Sequence, residues 1–385
     1  MGCIIIGADF VPTQSNEKLF EQKELETLFG SDILSTVRNA EYRVFNLETP
    51  LTDRPAPIQK SGPALCAATQ TINTYQALGV DLVTLANNHC MDQGASGLSD
   101  TIKTLNDNHI HYVGAGDNIG DAQKPFYITC HNNKRIGIYA CAEHEFSIAG
   151  IETPGANPFD PLETLDQINQ LSKETDYVIV LFHGGKELYR YPSPLLQKTC
   201  RKIIEKGAHL VITQHSHCIG CQEKYLHGTI VYGQGNFLFD LSDSVFWKTG
   251  LLISVDTDSF QLEYIPIIKE KNTVRLADAE AKKEILEAFQ KRSNEIKDYD
   301  FVVKEYNKLA EPYFYNYACL LSGINDSSLL YRALNKITSY QYGKYLLKKK
   351  YNKSKCIRIM NIIRCEAHNE CLLQGLKLFS DKEKF

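Results

Sequence analysis

The sequence contains no apolar run long enough to be a secretory signal or a membrane-spanning helix. Its first apolar segment, residues 3–7, is too short for either role. We therefore expect a cytoplasmic protein whose twelve cysteines are reduced. Cys218 and Cys221 form the one close pair, and the sequence lacks the second Cys-x-x-Cys that a structural zinc site would need.

The sequence also lacks a strong overall charge, since its formal net charge is only −4. The charge is unevenly distributed. Residues 331–364 contain ten Lys or Arg and no Asp or Glu, which leaves a charge of about −14 on the remainder. Hydrophobic residues make up 43% and charged residues 23% of the chain, so a packed core is feasible and disorder is not expected.

Short apolar runs alternate with amphipathic stretches from the start of the chain to about residue 270. This alternation predicts an α/β domain over residues 1–270, followed by a mainly helical, basic module over residues 271–385. Pro194 suits the start of a helix, and Gly79 and Gly207 suit helix ends. The predicted strands are Cys3–Ile6, Tyr42–Phe45, Asp81–Leu85, Arg135–Ala140, Tyr177–Phe182, His209–Thr213, Thr229–Tyr232 and Leu251–Val255.

Most of the polar residues that could ligate a metal or take part in catalysis directly follow a predicted strand. They are Asp9, Asn46, Glu48, Asn88, His89, His183, His215 and His217. Ligands of α/β proteins bind beyond the carboxyl ends of the strands. Carboxylate, amide oxygen and imidazole together suit Mn, Fe or Zn, so the pattern predicts a site for one or two divalent metal ions. Taken singly, each residue could equally be a turn, cap or structural residue; the joint pattern favours the metal site.

Seven motifs in order resemble the poly-γ-glutamate capsule-synthesis (CapA) family of the calcineurin-like metallophosphoesterases. They cover roughly residues 3–255 and are Gly7–Asp9, Asn46–Thr52, Ala86–Gly94, Gly114–Gly116, His183–Tyr189, Gln214–His217 and Tyr232–Phe237. The resemblance implies a sandwich of two packed sheets flanked by helices (α/β/β/α).

The resemblance also implies roles for individual residues. Asp9, Glu48 and His217 resemble the ligands of one metal. Glu48, Asn88, His183 and His215 resemble those of a second metal, with Glu48 as the bridge. His89 resembles the general acid that protonates the leaving oxygen. Asn46, Glu187, Tyr189 and Asn236 look like groups that face the substrate or support the ligands.

The chain departs from the wider superfamily at its first motif. The superfamily has Asp-x-His there, whereas Asp9 is followed by Phe10 and Val11. The first metal would then have only three protein ligands, a loss that CapA-type proteins share.

These observations predict a divalent-metal-dependent hydrolase of phosphoesterase type. The resemblance implies synthesis or processing of an anionic capsule or cell-surface polymer, with that polymer or a phosphorylated precursor as substrate. Two alternatives remain open: a γ-glutamyl amide hydrolase or transferase, and a non-catalytic metal-binding subunit of a polymer synthase.

The basic segment, residues 331–364, adds a prediction about partners. Lysines and arginines interleaved with tyrosines could contact anionic lipid, acidic polymer or nucleic acid, and nucleic acid is the partner we least expect. A peripheral position at the inner face of the membrane is therefore a second prediction for localisation.

Overall fold

The computed structural model describes residues 2–322, 328–338 and 341–382. The strands are β1 (Cys3–Val11), β2 (Tyr42–Asn46), β3 (Leu82–Thr84), β4 (His111–Val113), β5 (Ala115–Gly116), β6 (Phe126–Thr129), β7 (Arg135–Ala142), β8 (Gly155–Ala156), β9 (Tyr177–His183), β10 (Leu210–Gln214), β11 (Ile219–Tyr225), β12 (Gly228–Gln234), β13 (Asn236–Phe239), β14 (Thr249–Asp256), β15 (Leu262–Glu270) and β16 (Thr273–Leu276).

The helices are α1 (Glu17–Glu21), α2 (Leu25–Arg38), α3 (Ile72–Leu78), α4 (Gly94–Asp107), α5 (Ile119–Ala122), α6 (Thr164–Glu174), α7 (Pro194–Glu205), α8 (Ala279–Glu295), α9 (Tyr299–Leu321), α10 (Leu329–Ile337), α11 (Gln341–Lys350), α12 (Lys353–Arg364) and α13 (Glu366–Lys382). Local signals set several bounds. Pro194 opens α7 behind a Ser193 cap, and Gly79 ends α3 in the left-handed conformation.

Two sheets form the core of the first part of the chain. The first sheet has the order β16-β15-β14-β1-β2-β3-β4, with β13 also paired to β1. The second has the order β11-β12-β10-β9-β7-β6. Strands β1 to β4 run parallel in the first sheet, and β7, β9, β10 and β12 run parallel in the second.

Alternating side chains of the second sheet explain why the two sheets pack together. Ile179 and Leu181 of β9 belong to the large core shared with the first sheet. Val178 and Val180 point to the other face, where Ile203 of α7 covers them. Helices α2, α3 and α4 add buried side chains to the first sheet's core. The predicted α/β/β/α architecture is confirmed.

The described chain separates into two compact units, 1–303 and 304–385. We call the second the C-terminal unit; its described residues are helical, as predicted. Helix α8 lies in the first unit, where Phe289 joins the core and the Arg292 guanidinium donates to the carbonyl of Gly220. The functional boundary at 270/271 stays a prediction. None of the helices in the described ranges combines the length and hydropathy needed to cross a membrane.

Candidate metal centre

The carboxyl ends of parallel strands from both sheets place the predicted residues in one site. Pairing sets Asp9 of β1 opposite Asn46 at the end of β2, and His183 at the end of β9 opposite Gln214 at the end of β10. Asp9 was predicted to follow its strand, but it lies inside the strand. Strand β1 continues to Val11, and its register shifts at Asp9.

One group of ligand-type atoms lies around His183. Its Nε2 is 3.0 Å from Asn88 Oδ1, 3.1 Å from His215 Nδ1 and 3.5 Å from Glu48 Oε1. Two ligands about 2.1 Å from a common ion are separated by roughly 3.0–3.4 Å, so these spacings suit a shared cation. Glu48, His183 and His215 could therefore hold a metal ion.

Burial keeps both imidazoles of this group neutral. The pKa of His183 is lowered well below its usual value, first by burial and then by the neighbouring histidines. Burial and His217 lower the pKa of His215 to about 4. A neutral imidazole is the form that ligates a metal.

A second group shares Glu48 with the first and consists of Asp9, Glu48 and His217. His217 Nδ1 lies 3.1 Å from Asp9 Oδ2 and 2.9 Å from Asn236 Oδ1. Burial opposes a charge on His217, but the Asp9 carboxylate and Asn236 outweigh burial and raise its pKa. The Trp247 ring packs over the His217 imidazole, with centroids 4.5 Å apart, and fixes its orientation.

Glu48 provides the test of whether this site suits a metal. The residue is fully buried, and neither carboxylate oxygen has a hydrogen-bond partner within the described ranges. Burial, and next the charge of Asp9, raise the pKa of Glu48 well above its usual value. A buried carboxylate without hydrogen bonds is unfavourable unless a cation compensates its charge, so the residues fit a divalent ion held by Glu48.

His89 lies beside both groups without belonging to either. Its Nε2 is 4.0 Å from Glu48 Oε1, while its Nδ1 donates to Asp92 Oδ2 at 2.5 Å. Asp92 is fully buried and also accepts from Lys60 Nζ at 2.6 Å and from the Leu65 amide at 2.6 Å. Because a carboxylate only accepts, Asp92 fixes the proton on Nδ1 and leaves Nε2 facing the site.

The loop after β10 holds its two histidines in an unusual backbone conformation. His215 has φ of 81° and His217 has φ of 52°, in the left-handed region that non-glycine residues rarely adopt. Strain of this kind persists where surrounding contacts enforce it, and it is frequent at functional sites. Here it directs two imidazoles, two positions apart, toward the two groups.

The four predicted supporting residues are placed differently from one another. Asn46 donates to Asp9 Oδ1 at 2.7 Å, and Asn236 contacts His217, so both touch residues of the metal groups. Glu187 is exposed and lines a cleft beside the site, where its charge acts on His215. The half-buried Tyr189 ring packs against Tyr191, with centroids 5.9 Å apart.

The same cleft includes residues that the sequence analysis did not select. It has a volume of about 630 Å³, and beside the predicted His89 and His215 it is lined by Lys60, Phe146 and Lys186, among others. Glu145 also lines it, accepts from Asn88 Nδ2 at 3.2 Å and lies 4.0 Å from His215 Nε2. Glu145 follows β7 closely, so the strand-end rule applied to β7 could have identified it.

We predict that Glu48→Gln stabilises the chelated protein and destabilises the metal-loaded one. The raised pKa means that the ionised carboxylate opposes folding above its ordinary pKa. That effect is absent at pH values below the ordinary pKa. Thermal unfolding at neutral pH with EDTA should give a higher Tm for the variant, and added Mn²⁺ should reverse the order. An unchanged order in both conditions would contradict a bridging role.

The comparisons with known proteins identify the family to which the chain is similar. The family described as "Bacterial capsule synthesis protein PGA_cap" matches residues 4–241. The chain is 31% identical over 232 residues to the capsule biosynthesis protein CapA of Bacillus anthracis, covering 57% of this chain and 56% of that protein. It is 28% identical over 227 residues to the PGA biosynthesis protein CapA of Bacillus subtilis (strain 168), covering 58% and 60%.

The matches do not extend over whole proteins. The matched region spans between half and two thirds of the length of these two relatives. Among solved structures, a hypothetical protein from Thermus thermophilus aligns with a TM-score of 0.44 at 10% identity. That alignment covers 70% of this chain and 99% of that one. A likeness of that size carries no argument about function.

Proposed function

This chain belongs to the bacterial capsule synthesis protein family PGA_cap, and from that premise we propose that it is a divalent-metal-dependent hydrolase of phosphoesterase type. Its setting would be the synthesis or processing of an anionic capsule or cell-surface polymer. The observation that carries the proposal is the pair of ligand groups joined at Glu48, with His89 beside them and bound to neither.

The ligand set supports this chemistry. Asp9, Glu48 and His217 would hold one ion, and Glu48, Asn88, His183 and His215 the other. When bound, such ions supply Lewis-acid polarisation and lower the pKa of a water molecule. The chain itself fixes the ligands: Asn46 orients the Asp9 carboxylate, and Glu145 orients the Asn88 amide.

His89 is the group best placed to move a proton. Asp92 holds its Nδ1, and its Nε2 points toward Glu48 beside the cleft. An imidazolium at this position would donate to the oxygen that leaves the cleaved ester. Lys186 lines the same cleft and would attract an anionic substrate.

A second candidate function rests on the first strand. Where the superfamily has a metal-binding His, this chain has Val11, which is 1% exposed and packs with Phe239 and Trp247. A core valine cannot ligate, so the group around Asp9 would hold an ion with the three side chains of Asp9, Glu48 and His217. This observation favours a metal-stabilised, non-catalytic subunit of a polymer synthase.

Metal content measured together with turnover separates the candidates. The protein would be purified without chelator, and its Mn, Fe, Zn, Mg and Ca quantified by mass spectrometry. An aryl phosphodiester, an aryl phosphomonoester and a γ-glutamyl peptide would then be assayed with each metal. Phosphoester turnover supports the proposal, and turnover of the peptide alone favours an amide hydrolase. Bound metal without any turnover favours the subunit, and no metal under any loading condition overturns all three.

We expect Asp92→Asn to lower turnover by about 10- to 100-fold with little change in bound metal, because Asp92 positions His89 and ligates nothing. The variant also leaves the Lys60 ammonium, whose side chain is 3% exposed, without its carboxylate. Its Tm should therefore fall.

The double variant Lys60→Met/Asp92→Asn distinguishes positioning from stability. It removes both charges of the buried pair, so its Tm should recover while turnover stays low. Recovery of turnover together with Tm would mean that Asp92 serves the fold and not the chemistry. KM should change less than kcat in Asp92→Asn, since the fully buried Asp92 side chain is not placed to bind substrate directly.

A further inference from the structure

The C-terminal unit carries most of the large apolar side chains that are exposed within the described ranges. Leu320 is 78%, Leu329 84% and Ile337 79% exposed. A concentration of exposed apolar side chains of this kind is typical of a site of interaction with a protein or a membrane. A partner that covers these side chains would therefore have to offer an apolar surface or interior.

Helices α9 and α12 of this unit also form an apolar groove. It encloses about 550 Å³ and is lined by Phe314, Tyr317, Leu321, Ile359 and Ile363, among others. Its walls consist almost wholly of carbon. A groove without polar lining gives no directional hydrogen bonds, so it suits flexible hydrocarbon better than a polar ligand.

The basic segment, residues 331–364, lies in the same unit and close in sequence to the exposed apolar side chains. Lys348, Lys349 and Lys350 end α11, and Lys353 and Lys355 begin α12. Within the described ranges, no carboxylate lies at ion-pair distance from these five lysines. The Lys355 Nζ lies over the Tyr351 ring, 5.4 Å from its centroid, in a cation–π contact.

We propose that the C-terminal unit docks on the surface of an anionic lipid bilayer. Lysines would contact the headgroups, while side chains such as Leu329 and Ile337 would enter the boundary between headgroups and acyl chains. The proposal concerns this unit alone and is independent of the hydrolase chemistry.

Charge and apolarity together favour a bilayer over the other occupants. Nucleic acid or an acidic polymer would engage the bases, but would leave Leu320, Leu329 and Ile337 in water. A second copy that docked through the same surface would bring the ten positive charges of one basic segment against ten others. An anionic bilayer satisfies both properties of the surface.

The test is flotation of the full chain with vesicles. Vesicles of phosphatidylcholine alone would be compared with vesicles of equal parts phosphatidylcholine and phosphatidylglycerol, at low and high salt. We expect binding to the anionic vesicles only, weakened by salt. Lys348→Glu/Lys349→Glu/Lys350→Glu should weaken it on the order of a hundred-fold, and Leu329→Gln/Ile337→Gln on the order of ten-fold.

Matched substitutions in the first unit serve as controls. Lys282→Glu/Lys283→Glu reverses two exposed lysines of α8, and Ile151→Gln/Leu226→Gln replaces two exposed apolar side chains; both variants should bind like the parent. The altered C-terminal side chains are exposed, and circular dichroism would verify that helix content is retained.

Three results would overturn the proposal. Equal binding to neutral and anionic vesicles would show that the lysines do not bind anionic headgroups. Binding to DNA or polyglutamate without binding to vesicles would assign the surface to a polyanion. A dimer in solution that the Leu329→Gln/Ile337→Gln variant dissociates, with no vesicle binding, would assign it to a second copy.

Discussion

His215→Ala is expected to abolish metal binding at the group around His183, and turnover with it. His215 Nδ1 lies 3.1 Å from His183 Nε2, and its side chain is nearly buried, so the substitution removes an imidazole from the centre of this group. Loss of residues behind the ligands already weakens metal sites by about 10- to 100-fold, and loss of a ligand should exceed that. Mass spectrometry of the purified variant, with its Tm with and without EDTA, measures the effect.

Two further variants separate ligation from backbone strain. Because His215 has φ of 81°, alanine there is strained, whereas His215→Gly suits the conformation and is equally unable to ligate. The glycine variant should regain stability in the chelated protein without regaining metal. His227→Ala, which removes an exposed imidazole elsewhere in the first unit, should keep both metal and turnover. Full metal content in both His215 variants would contradict the site.

The parts of the fold that the sequence predicted are those in which one physical signal dominates. All eight predicted strands are present, because continuous runs such as Ile4–Ile6 and Val178–Phe182 are buried on both faces of parallel sheets. Eight further strands within the described ranges were not predicted. Six of them (β4, β5, β6, β8, β13 and β16) have no more than four residues, too few to show a pattern of their own. The longer strands β11 and β15 pair with β12 and β14, their neighbours in the sequence.

The candidate site, like the fold, was predicted only in part. Residues at strand ends were predictable, since parallel strands of one sheet deliver their carboxyl ends to one edge. The support that Lys60 gives to Asp92 beside His89 was not, because Lys60 lies on a loop that returns to the site 29 residues before His89. The position of Asp9 inside β1 was missed because a polar residue in a buried strand breaks the apolar run from which strands are predicted.

His89→Ala is expected to lower turnover by about 10²- to 10⁴-fold while the bound metal stays at the level of the parent. The two expectations follow from one geometry. His89 Nε2 is 4.0 Å from Glu48 Oε1, close enough to serve a reacting group between them, yet His89 belongs to neither ligand group. Metal analysis and steady-state kinetics on the same preparation test both.

The comparison of His89→Ala with His215→Ala decides whether the site is catalytic. If the protein is a hydrolase, His89→Ala should bind metal without turnover. His215→Ala should show neither bound metal nor turnover. Loss of metal in His89→Ala would mean that His89 is a ligand, and the role of Asp92 would then be to orient a ligand. A non-catalytic subunit has no use for an imidazole held by a buried carboxylate beside the metal groups. For such a subunit His89→Ala should be silent in every assay, including polymer production by cells that carry the variant.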